Sequence, residues 1–94
     1  MEEVEQIVSA IVHDRFPTAS IEFVKVEPDE DQDGDAIVRV TVVFDPEGGK
    51  LDTHRMVGLV RHVRPKLIEQ HFNQFPIFRF VSKKDAASLK IAAA

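Results

Sequence analysis

The stretch AIVRVTVVF, Ala36 to Phe44, decides how the rest of the chain is read. Six of its nine residues are β-branched, a side-chain type that is stiff at χ1 and sits well on a pleated surface. Val38, Val40, Val42 and Phe44 fall on one face of the implied strand, and Ile37, Arg39, Thr41 and Val43 fall on the other. The first face is wholly apolar and requires a core. The second mixes apolar and basic groups and leaves open what covers it.

Working back from this strand, IEFVKVE (Ile21 to Glu27) has the same character and reads as its hairpin partner. Its alternation changes phase between Phe23 and Val24, which predicts a β-bulge. DEDQDGD (Asp29 to Asp35) lies between the two strands and so forms the hairpin tip. Further back, Val4, Ile7, Val8 and Ile11 recur at helical spacing, with Glu2, Glu3 and Glu5 at the favourable end of the dipole. That helix runs from about Glu2 to Arg15, because Pro17 disfavours helical geometry at Phe16.

Working forward, the DPEGGK turn leads to a second helical pattern in which Met56, Leu59, Val60, Val63 and Leu67 share a face. Asp52 is positioned to cap it, and Pro65 inside it predicts a bend or a break across Val63 to Pro65. FPIFRFV (Phe75 to Val81) reads as a third strand, with Pro76 near its start as an edge strand permits. Ser82 with Asp85 then marks the cap of a short last helix over Ala86 to Ile91, and residues 92–94 are expected to fray.

The whole chain of 94 residues is thus expected to be one α+β domain of order α-β-β-α-β-α, a three-stranded sheet with helices packed on one face. The helix between strands two and three implies a right-handed crossover. The expected core is Val4, Ile7, Val8, Ile11, Val38, Val40, Val42, Met56, Leu59, Val60, Val63, Leu67, Phe78 and Phe80. The other sheet face, carrying Ile37, Arg39, Val43, Ile77, Arg79 and Val81, needs either the last helix, a second copy or a partner to cover it.

Composition narrows the chemistry. There is no cysteine, hence no disulfide, thiolate metal site or thiol nucleophile. The acidic start MEEVEQIV does not resemble a signal peptide, and no run of eighteen apolar residues occurs, so a cytoplasmic protein with no membrane span is expected. Residues 1–49 hold thirteen acidic and three basic residues, net −10, while residues 50–94 hold nine basic and three acidic, net +6. Opposite signs in the two halves can hold neighbouring elements together or present a basic surface.

Asp29, Asp31 and Asp33, followed by Gly34, match the first half of a calcium-binding EF-hand loop, but the twelfth position, where a bidentate glutamate belongs, is Val40. A solvated hairpin tip is the favoured reading, with a weak calcium site over those three aspartates as the lesser one. His13, His54, His62 and His71 lack the spacing that brings imidazoles onto one metal. No serine lies in a nucleophile elbow, and Gly48 and Gly49 read as a turn rather than a phosphate loop. No catalytic residue, cofactor or enzymatic activity is expected. The basic run HRMVGLVRHVRPK, His54 to Lys66, places Arg55, Arg61, Arg64 and Lys66 as candidate phosphate contacts beside a bare Gly58.

The stretches IEFVKVE, AIVRVTVVF, MVGLVRHVRPKL and FPIFRFV follow in the order of type II KH domains, and the layout is similar to that of the ribosome-binding factor A family. This resemblance implies RNA or ribosome binding by the basic helix. His62 to Pro65 stands where such domains carry a Gly-x-x-Gly turn, so the glycines that let backbone approach phosphate are missing. RHVRPKL and FPIFRFVS, with the Asp-Ala that follows, also resemble short bacterial proteins of no assigned activity. Two functions are therefore expected in turn: a non-enzymatic interaction module, homodimeric or bound to a protein partner through the open sheet face, or an RNA-binding module. DNA binding is not expected.

Overall fold

The computed structural model describes residues 2–49 and 51–91. The elements are α1 (Glu2–Arg15), β1 (Ser20–Glu30), β2 (Ala36–Asp45), a 3-10 turn (Pro46–Gly48), α2 (Thr53–Val57), α3 (Leu59–Glu69), β3 (Phe75–Ser82) and α4 (Lys83–Ser88). The architecture is α+β. The sheet order is β1-β2-β3, with β1 antiparallel to β2 and β3 parallel to β2. The strand anticipated over Ala36 to Phe44 is therefore the central one, which explains why it carries buried apolar residues on both faces.

Val38, Val40 and Val42 of β2 join Val24 and Val26 of β1 beneath Val4, Val8 and Val12 of α1, Phe16 just after it, and Leu59, Val63 and Leu67 of α3. In α1 the buried row runs at four-residue spacing, so Val12 and then Phe16, just past the helix end, complete it, and the expected Ile7 and Ile11 are only half-buried at its side. Met56, Phe78 and Phe80 likewise pack against the core without being sealed in it, and Val60 is half-buried. Phe16 meets Phe80 edge-to-face at 5.7 Å between ring centroids.

Three local expectations move. The bulge falls between Ile21 and Phe23, leaving Glu22 as the extra residue. β1 continues through Pro28, Asp29 and Glu30, which pair with Val38, Ile37 and Ala36, so the hairpin tip shrinks to Asp31–Asp35. The break in the second helical region lies at Gly58, between α2 and α3, rather than at Pro65, which sits inside an unbroken α3. Pro65 is exposed, so the Arg61 carbonyl that loses its helical donor faces water.

The expected caps form. The Asp52 side chain accepts from the His54 N–H at 3.0 Å, and Ser82 Oγ accepts from the Asp85 N–H at 3.2 Å. α4 then spans Lys83–Ser88, earlier than its apolar residues suggest. α3 and α4 end alike: His71 and Lys90 adopt positive φ, and the Phe72 and Ile91 N–H groups turn back to the Leu67 and Ala86 carbonyls. Each closure folds the next apolar residue onto the body. Gly49, at φ 150, lies so near the α1–β1 connection that a Cβ would stand 2.0 Å from the Thr18 carbonyl oxygen.

Candidate functional site

α4 lies on the sheet face opposite α1 and α3. Val43, Val81 and Ala86 form a second buried cluster, with Phe23 and Ile91 at its margin, and Lys83 reaches Glu22 at 3.7 Å. Helices thus occupy both faces, not one. The chain itself covers Val43 and Val81, which were expected in an open interaction surface. Ile37 is also buried, set between the hairpin tip and Ile77 beside a shallow depression lined by Glu30, Asp31, Gln32, Asp33 and Arg39.

The two arginines of this face are held by their neighbours. Arg39 Nε bonds Asp29 Oδ2 across the hairpin at 2.5 Å, and that bond is the main reason the Asp29 carboxyl lies below its ordinary pKa, helped by the Glu30 N–H. Arg79 donates to Thr41 Oγ1 at 3.3 Å, which turns it toward β2 and away from the sheet edge. Of the six residues expected to form the face, only Ile77 offers an open apolar side chain. The fully exposed apolar surface lies elsewhere.

Five large apolar side chains stand out in the described residues: Val57 at 81% exposure, Leu89 at 60%, Ile68 at 52%, Phe75 at 41% and Ile77 at 40%. Phe75 and Ile77 belong to β3, whose outer edge pairs with no strand among the described residues. Val57 and Ile68 lie on the flank of α2 and α3 turned away from α1. Arg64, on this flank, sits over the Phe75 ring at 5.0 Å and ties the helix surface to the strand. Val57, Val60, Arg61, Arg64, Pro65 and Ile68 line an open groove of about 690 Å³.

The four candidate phosphate contacts do not converge. At 100° per residue, Lys66 points about 140–160° away from Arg61 and Arg64. It lies instead on the α1 side, 3.4 Å from Glu69. Arg55 faces Asp52 at 3.7 Å and donates to the Arg15 carbonyl, while Arg15 donates to the Arg55 carbonyl. Arg15 also lies across Gly58, where a Cβ would meet its guanidinium at 3.4 Å, so that glycine is not open to a partner's backbone. His62 to Pro65, the stretch aligned with the Gly-x-x-Gly turn, is in α3.

At the hairpin tip the carboxylates of Asp31, Asp33 and Asp35 gather within 4.8 Å of one another, whereas Asp29 is drawn off to Arg39. Asp31 Oδ1 accepts from the Asp33 and Asp35 N–H groups at 2.9 Å each. The turn therefore uses one of these carboxylate oxygens for its own backbone. Among the described residues no helix is long and apolar enough to cross a membrane. No protein-family model matches the chain, and no curated protein or solved structure matches it either.

Proposed function

We propose that this chain is a non-enzymatic interaction module that associates with a second copy of itself by pairing the two β3 edges across a two-fold axis. The observation that carries the reading is the state of β3: an end strand with an unpaired edge, bearing Phe75 and Ile77 two-fifths exposed side by side. Soluble proteins usually blunt such edges with charge, proline or a bulge. β1, at the other end of the sheet, is guarded in this way by the Glu22 bulge, Pro28 and the charges of Lys25, Glu27 and Asp29. On β3 the only charged residue, Arg79, is held toward Thr41, and Pro76 is the only proline.

Pairing two such edges makes a continuous six-stranded sheet and brings Ile77 of one copy near the same strand of the other. The assay is mass in solution by light scattering. Wild type is expected to be a dimer at about 50 µM, a concentration suited to the modest net worth of each backbone hydrogen bond. Ile77→Asp is expected to be a folded monomer, since the side chain is already part-exposed. A monomeric wild type, or a variant of unchanged mass, overturns the reading.

A further inference from the structure

We infer that the groove along α2 and α3 is a docking site for an amphipathic helix of a protein partner, one that carries aspartate or glutamate beside its apolar face. Val57, Val60, Pro65 and Ile68 supply an apolar floor, with Arg61 and Arg64 among them. A monomeric surface has little reason to leave Val57 and Ile68 together in water at 81% and 52% exposure. Within α3 the groove runs about 12 Å from Val60 to Ile68 at 1.5 Å per residue, and Val57 of α2 extends it beyond Gly58. That matches a helix presenting anchors at i, i+4, i+7 and i+11.

Charge selects the occupant. Arg61 and Arg64 form no ion pair among the described residues, although Arg55, Lys66, Arg39 and Lys83 each do. Their guanidinium groups stand at the groove with no carboxylate of the described residues paired to them. A second copy seated flank to flank would set these arginines against their own counterparts, a like-charge contact. RNA fits the groove less well, because the basic residues do not run in a line and the floor is aliphatic, without the flat rings on which bases stack. An acidic amphipathic helix matches both the apolar floor and the two arginines.

The inference does not rest on self-association, and the test keeps the two apart. A fluorescein-labelled 16-residue helical peptide with leucines at i, i+4, i+7 and i+11 and flanking glutamates is titrated by fluorescence anisotropy. Its site is mapped from amide shifts of the labelled protein. Saturable binding is expected, with shifts centred on Val57, Arg61, Arg64 and Ile68. Arg61→Glu with Arg64→Glu, and separately Ile68→Asp, should each weaken it at least tenfold, and the same peptide with lysines for glutamates should bind at least tenfold more weakly. Ile77→Asp should bind the acidic peptide as wild type does, whatever its mass. No saturation, shifts centred elsewhere, equal binding of the lysine peptide, or displacement of the peptide by a ten-nucleotide uridine RNA would each overturn the inference.

Discussion

Ala86→Glu attacks the contact by which α4 closes the second face of the sheet. Ala86 is buried against Val43 and Val81, which are themselves almost inaccessible. A glutamate there must either hold a charge in an apolar contact without a partner or lift α4 from the sheet. Lifting is the smaller cost. Fully burying a valine stabilises by about 1.5–3 kcal/mol, and strand neighbours keep part of each side chain covered, so about 1 kcal/mol is lost for each valine. The Ala86 methyl adds about 0.8 kcal/mol, for a total of about 3 kcal/mol. A chain of this length is typically stable by about 5–14 kcal/mol, so the variant should fold, weakly.

Urea unfolding followed by circular dichroism is the assay. With a slope of about 1.5 kcal/mol per molar, the midpoint should fall by about 2 M. Hydrogen exchange adds a local signal, since the Ile91 N–H is held by the Ala86 carbonyl and should lose its protection. Ala87→Glu, on the exposed side of the same helix, is the control and should change the midpoint little. A fall of less than about 0.5 M for Ala86→Glu would refute the idea that α4 is packed on this face.

Gly49→Ala should be far more damaging than Gly34→Ala. At Gly49 the new methyl meets the Thr18 carbonyl, whereas at Gly34, φ 82, it meets nothing within 4 Å and adds only the left-handed strain of about 1–2 kcal/mol. Comparing the two melting curves checks this, and equal losses would contradict the close crossing of these loops. Asp29 gives a pH prediction. The hydrogen bond from Arg39 holds its folded pKa below the ordinary carboxylate value, so its contribution is present above the unfolded value and is lost as the pH falls through the lower folded one. Arg39→Ala should raise the Asp29 pKa toward its ordinary value in an NMR titration, and an unchanged value would mean that the ion pair does not form in solution.

Periodicity and punctuation along the chain were enough to identify the elements and their order. Strand alternation over Ala36 to Phe44 and the caps at Asp52 and Ser82 depend on neighbours within a few residues, and the structure has them where local physics puts them. Even the need for a bulge in β1 was legible, because a phase change leaves one residue without a place in the ladder. The helix break was misplaced for a reason of the same scale. A proline removes one donor, which an exposed helix can lose to water, and Gly58 is where the chain turns between α2 and α3.

Side-chain spacing, residue by residue, is thus enough to dictate the set of elements, their apolar faces and the α+β class. Which surfaces stay open depends on how those elements pack together. A sheet face with Ile37, Val43, Ile77 and Val81 looks unpartnered in one dimension, and α4 with the hairpin tip closes most of it. Val57 and Ile68 look like ordinary helical residues until α3 is rotated by its contacts with α1 and the sheet, which turns them to solvent beside Arg61 and Arg64. Exposure is a property of how elements pack across long sequence separations, and no local pattern carries it.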